Sequence, residues 1–213
     1  MTMFENPSEH FTIPNGHQVE FLPETHQYFV EGSEVPSITT LLSRVYGDIY
    51  GAVNPELLKR AADYGTAVHD ELQRWIELRK IDADIPIITT YQEVNNYFSL
   101  VEDIYRIKPI MTEQVVVLYD DSGLPASAGR FDLLCTVNGD LTLADFKTTS
   151  VIHRKQVTAQ LNLYLRAARQ SGYLASDPAE QPVKLAAIQL SGEKSKLLPI
   201  QVLGPQFYQQ FIF

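Results

Sequence analysis

The stretch that decides the fold is residues 129–149, GRFDLLCTVNGDLTLADFKTT. It alternates apolar and polar residues around Asn138-Gly139. That dipeptide suits a two-residue type I′ turn, because both central positions require positive φ. The stretch therefore reads as a β-hairpin, residues 129–137 followed by 140–148. Asp132, Asp145 and Lys147 do not suit strands whose only task is packing. If Val137 faces Asp140 across the turn, Asp132 falls opposite Asp145, with Cβ atoms ~4.5–5.5 Å apart. Lys147, two residues beyond Asp145, shares that face. The other face carries Phe131, Leu133, Cys135 and Val137 on one strand and Ala144 and Phe146 on the next.

Two carboxylates held opposite one another repel. Either one keeps its proton, with a raised pKa, or a cation sits between them. Hard divalent ions such as Mg²⁺ and Mn²⁺ take carboxylate oxygens, carbonyls and water. A lysine beside such an ion can orient an attacking water or balance charge developing on a phosphate. The plainer alternative for Asp145 and Lys147 is a structural ion pair at a strand end, and the matching position of Asp132 weighs against it.

Upstream of the hairpin, residues 11–30 carry turn signals (Pro14-Asn15-Gly16, Pro23-Glu24-Thr25) between short alternating runs and read as strands. Ser37 can cap a short helix that stops at Gly47, and Asn54-Pro55 opens a longer one whose apolar stripe runs through Leu72, Trp75 and Ile76. A further helix covers about residues 91–105, ending before Pro109. Residues 113–119 (EQVVVLY) then form a strand ahead of the hairpin. A helix follows over 153–170, then strands over 184–190 and 196–203 around Gly192, and a last helix begins at Gly204. The order predicts one α/β domain: an N-terminal β-hairpin and helix elaboration (1–53), a core with a central mixed sheet flanked by helices (54–203), and the start of a terminal helix (204–213).

The chain has 213 residues, 45% of them hydrophobic, enough to bury a core unaided. With one cysteine, Cys135, neither a disulfide framework nor a cysteine-ligated cluster is expected. No apolar run approaches the ~18 residues of a membrane span, and the N-terminus lacks the basic and apolar regions of a signal peptide, so a cytoplasmic location is the default expectation. The net charge of −9 argues against a general polyanion binder. Even so, residues 146–176 contain no Asp or Glu but hold Lys147, Arg154, Lys155, Arg166 and Arg169.

Three further features point toward the hairpin. Gln160 and Tyr164 lie one helical turn apart, on one face, with polar tips suited to phosphate or sugar; the alternative is that they merely edge the core. His69 shares a helix stripe with Gly65, Leu72 and Ile76 and so faces inward, where a histidine is either a satisfied core residue or a ligand. Gly65 costs that helix ~1 kcal/mol against alanine, which predicts a close approach there. Glu113 opens the strand before the hairpin and could add a carboxylate, although strand-edge glutamates are usually solvated.

In order, these residues resemble the PD-(D/E)XK nuclease superfamily, in its RecB-like exonuclease branch. The pattern is GTAVH (His69), GRFD (Asp132), DFK (Asp145 and Lys147) and QLNLY (Gln160 and Tyr164), spread over about residues 54–203. The segment HQYFVEGSEVPSITTLLS also looks like the front of phage-type and mitochondrial genome-maintenance exonuclease relatives. The resemblance implies a restriction-endonuclease-like core and Mg²⁺- or Mn²⁺-dependent hydrolysis of DNA. Asp132, Asp145 and the Phe146 carbonyl would bind one or two ions, His69 would complete the site, and Glu113 is a further candidate. Lys147 would position the water and stabilise the phosphate. Gln160, Tyr164, Arg130, Arg154 and Lys155 would contact DNA, and recombination or replication proteins are the implied companions. The four-cysteine iron–sulfur cluster of many relatives cannot form on a single cysteine. The rival expectation is a catalytically silent nuclease fold that binds nucleic acid or a protein.

Overall fold

A computed structural model describes residues 8–47, 51, 53–191 and 195–211. Four short strands, β1 (Glu9–Thr12), β2 (Gln18–Leu22), β3 (Gln27–Val30) and β4 (Ser33–Val35), form an antiparallel meander. Helix α1 (Ile38–Tyr46) follows, its first turn capped by the Ser37 hydroxyl, which accepts from the Thr40 amide at 3.0 Å. Gly47 ends it at φ 77°. Helix α2 (Pro55–Ile81) starts as its sequence predicts: the Asn54 side chain accepts from the Glu56 amide, and Pro55 occupies a first-turn position that needs no donor. Strands β5 (Lys108–Tyr119), β6 (Pro125–Val137) and β7 (Asp140–Lys147), helix α4 (Arg154–Gln170), and strands β8 (Lys184–Gln189) and β9 (Lys196–Ile200) complete a five-stranded sheet in the order β5-β6-β7-β8-β9. Only β7 and β8 run parallel, across the α4 connection. The sheet is therefore mixed.

Helices α1 and α4 cover one face of this sheet and share a core with Leu134, Leu143 and Leu185. Helix α2 and the segment after it cover the other face, packing Leu72, Ile76, Tyr97 and Val101 on Leu133, Ala144 and Ile188. The N-terminal meander packs on Val115, Val117 and Ala128, at the far end of β5 and β6.

Several expectations change. The helix predicted over 91–105 is α-helical only over α3 (Gln92–Asn96) and then widens into a π-helical run, Tyr97–Glu102. Widening lets the adjacent Tyr97 and Phe98 both bury, edge to face at 4.9 Å, where an α-helix would splay them. Strand β5 begins at Lys108 rather than Glu113, and the intervening Pro109 is accommodated by an edge position and a bulge between Pro109 and Met111. The terminal helix is a 3₁₀ turn, Pro205–Gln210. The turn expected around Gly192 lies outside the described residues, as do the first seven and last two residues of the chain.

The hairpin keeps its predicted register as far as Leu133↔Ala144, but the expected Asp132–Asp145 pair is not part of the ladder. Asn138 and Gly139 have φ 51° and 95°, and pairing runs from Val137↔Asp140 to Leu133↔Ala144. The apolar face is different: Leu133, Cys135, Ala144 and Phe146 pack together, but Phe131 packs with Leu134 and Leu143 on the opposite side. The exchange happens at Asp132. On β5 it is matched at Glu113, φ 49°, beyond which Val116 takes the face that Met111 occupies before it. Both strands thus swap faces at one level, between the pairs Thr112↔Leu133 and Gln114↔Phe131. Strict alternation cannot foresee such a coordinated twist.

Candidate metal centre

That face exchange brings Glu113 and Asp132 to one point. Ligand atoms of His69, Glu113 and Asp132 all lie within 4.8 Å of one another. His69 comes from α2, where Leu72 and Ile76 anchor the helix to the sheet. Its Nδ1 is 3.6 Å from Asp132 Oδ2, and its ring stands edge-on to Phe146 at 5.9 Å. Gly65 is not what permits this packing, because an added Cβ would meet Thr148 Oγ1 at an ordinary 3.6 Å. Beyond Leu133↔Ala144 the β6–β7 ladder gives way to a side chain. The Phe146 amide donates to Asp132 Oδ2 at 2.6 Å, and so Phe146 enters the site through its N–H.

Asp145 stands just outside the triad. Its Oδ2 lies 2.7 Å from Lys147 Nζ, and Lys147 donates to Gln160 Oε1 on α4 at 3.2 Å. The Asp145 oxygen is close to the ammonium but not aligned with it, so it is a buried acceptor without a hydrogen bond among the described residues. Both triad carboxyls are held toward their neutral forms. Burial, then the Asp132 charge beside it, pushes Glu113 up to about 9. Burial also raises Asp132, to about 6, against the pull of His69 and with a further push from Asp145. Sites with this much buried, mutually repelling carboxylate are where a hard cation is stabilising. An imidazole, two convergent carboxyls and the under-bonded Asp145 oxygen fit a divalent ion of the Mg²⁺ or Mn²⁺ type. They offer no soft thiolate, since Cys135 is buried elsewhere in the core.

Two cavities flank the triad and share Thr39, Thr66 and His69. One, about 640 Å³, runs between α1, α2 and the end of β7, past Lys147, Thr148, Thr149 and Gln160. The other, about 660 Å³, lies between the N-terminal meander and the core, past Phe21, His26, Tyr28, Asp70, Glu113 and Arg130.

Other expected contacts are placed differently. Tyr164 is buried, 6% exposed, against Gly129, and burial holds its phenol well above 10. It is hydrogen-bonded to Gln160 and forms part of the wall of the second cavity. Arg154 and Lys155 are exposed but line a separate cavity near Tyr46 and Phe207, with Lys155 Nζ 5.0 Å from the Tyr46 ring. Arg166 pairs with Asp121 at 3.2 Å, and Arg169 donates to the Ala175 and Gln181 carbonyls. The basic segment is therefore not one continuous cationic track. Arg130 lines the second cavity, paired with Glu9 at 2.6 Å. Sequence reasoning missed Asp70, Phe21, His26 and Tyr28. Asp70 adjoins His69 and could have been flagged, but nothing in the N-terminal sequence signals that its aromatics line a cavity with His69 and Glu113.

No protein-family model matches this chain, and no curated protein matches it at a significant level. No helix among the described residues is long and apolar enough to cross a membrane.

Proposed function

We propose that the chain is a metal-dependent phosphodiesterase acting on DNA. More particularly, it is read as an exonuclease of the RecB-like branch of the PD-(D/E)XK nucleases, working on linear or single-stranded DNA. The observation that carries this is the convergence of His69, Glu113 and Asp132 within 4.8 Å, one strand away from the Asp145–Lys147–Gln160 chain. His69, Glu113 and Asp132 would hold the ion, with Asp145 swinging from Lys147 to join them. When bound, Mg²⁺ or Mn²⁺ supplies a Lewis acid that lowers the pKa of a coordinated water and offsets phosphate charge.

The protein's own groups do the rest. Lys147, kept in place by Asp145 and Gln160, carries a positive charge to the phosphate oxygens and orients the water. Gln160 is itself oriented by the buried Tyr164. Thr148, just past the end of β7, offers a hydroxyl to the neighbouring backbone along the first cavity, while the Thr149 hydroxyl donates to the Val151 carbonyl.

The test is cleavage of end-labelled linear single- and double-stranded DNA and of closed circles, with Mn²⁺, Mg²⁺ or EDTA. Wild type should degrade linear DNA only with metal, and Asp145→Ala and Lys147→Ala should lower the rate by at least about 10²-fold. Cutting of circles would make the enzyme an endonuclease. A folded protein that binds Mn²⁺ but cleaves nothing would overturn the catalytic reading in favour of a binding module.

A further inference from the structure

Building on the nuclease reading, we infer that the 660 Å³ cavity between the N-terminal meander and the core is a subsite for one unpaired nucleobase beside the cleavage centre. The cavity shares His69 and Glu113 with the triad, so a strand whose phosphate reaches the triad can place a neighbouring nucleotide in it. Its volume lies in the range of small-ligand sites, roughly 300–1,000 Å³, and can hold a single nucleotide.

Its lining suits a base better than a phosphate. Phe21 and Tyr28 pack at 4.6 Å and 32°, and His26 stands edge-on to both, at 5.4 and 5.8 Å. His26 is exposed and sits at φ 54°, an uncommon backbone conformation that holds its ring at the cavity wall. The cavity's one guanidinium, Arg130, is already opposed by Glu9 at 2.6 Å and lies 5.2 Å from the Phe21 ring centroid. Paired in this way, it offers the planar face of its guanidinium to the cavity rather than an unopposed charge. Glu9 and Asp70 add carboxyl groups that repel phosphate but accept from exocyclic amino groups. The cavity on the other side is largely apolar, with Lys147 and Thr148 at the end nearest the triad as its groups for the sugar–phosphate backbone. Phe21 and Tyr28 are themselves buried, so the surface on offer is the exposed His26 ring that they back; with carboxyl acceptors and one planar cation it can recognise an unstacked base.

The experiment places 2-aminopurine, a base whose fluorescence is quenched by stacking, at the end of a short single-stranded oligonucleotide. The full-length protein is titrated with Ca²⁺ in place of Mn²⁺, beside His26→Ala and Phe21→Leu, with circular dichroism confirming that each variant is folded. The expected result is quenching on wild type, none with a blunt duplex carrying the same end, and binding at least about fivefold weaker in both variants. In Mn²⁺ turnover, KM should rise more than kcat falls. Wild-type quenching and KM in both variants would overturn the subsite while leaving the nuclease reading intact. A wild-type protein that neither binds the strand nor cleaves it would overturn both.

Discussion

Asp132 is asked to do three things at once: accept the Phe146 amide, face His69, and lie near Glu113 and Asp145. Without a cation this is unfavourable, which makes its effect on stability opposite to its effect on function. Asp132→Asn keeps an oxygen for the Phe146 amide and removes the charge. In EDTA the variant should be more stable than wild type by on the order of 1–3 kcal/mol in urea unfolding. The stabilisation that Mn²⁺ gives wild type should vanish in it; a variant that still gained stability from Mn²⁺ would show that Asp132 is not a ligand. The pH dependence follows from the same groups. Glu113 and Asp132 are raised in the folded state, so the folded protein binds more protons than the unfolded chain between about pH 4 and about pH 9. Their contribution to stability is therefore complete below about pH 4 and is lost as the pH rises through that window. Urea midpoints in EDTA should fall between about pH 5 and about pH 8, and Mn²⁺ should restore more at the higher pH, where protons no longer compete for the ligands. A midpoint independent of pH would mean that the two carboxyls are solvated.

The element that matters most is the β5–β6 pair, whose joint exchange of faces turns two strand carboxylates toward α2. Just beyond the exchange, Gly129 lets α4 approach. An added Cβ would stand 2.9 Å from Tyr164 Cε1 and 3.3 Å from Ile38 Cδ1. The Tyr164 ring is buried and cannot step aside, so Gly129→Ala should cost about 1–3 kcal/mol in equilibrium unfolding. It should also depress turnover, because Tyr164 orients Gln160 and Gln160 orients Lys147. Unchanged stability would show that α4 shifts freely, and the packing argument for Lys147 would fail with it.

For the whole molecule, charge is arranged sparingly around the two cavities. Among the described residues only Lys147 and Arg130 bring a lysine or arginine to their walls, while Arg166 and Arg169 are spent on structural contacts. An acidic chain with net charge −9 and so few cations at its groove should bind single strands with a shallow salt dependence. With Arg130 opposed by Glu9, the one phosphate contact from Lys147 corresponds to a log–log slope of about −0.7. A slope steeper than about −4 would require a basic track elsewhere on the surface, and Arg154 and Lys155 would be the first residues to neutralise.

Local chemistry made much of this legible in the sequence. Asn138-Gly139 set the hairpin and its register, Ser37 and Asn54 set two helix starts, and the order of elements set the mixed α/β sheet, because each depends on neighbours a few residues away. The same order of residues singled out His69, Asp132, Asp145, Lys147 and Gln160. Tertiary structure decided what they do together. Glu113, the weakest candidate by sequence, joins the triad, whereas Asp145 turns to Lys147. Tyr164 is buried beside Gly129 on the wall of the second cavity, whose other side comes from an N-terminal meander more than seventy residues away in sequence from Glu113. None of this is local. The face exchange depends on two strands twisting together, and the convergence on packing between distant segments, and periodicity within one strand or helix carries information about neither.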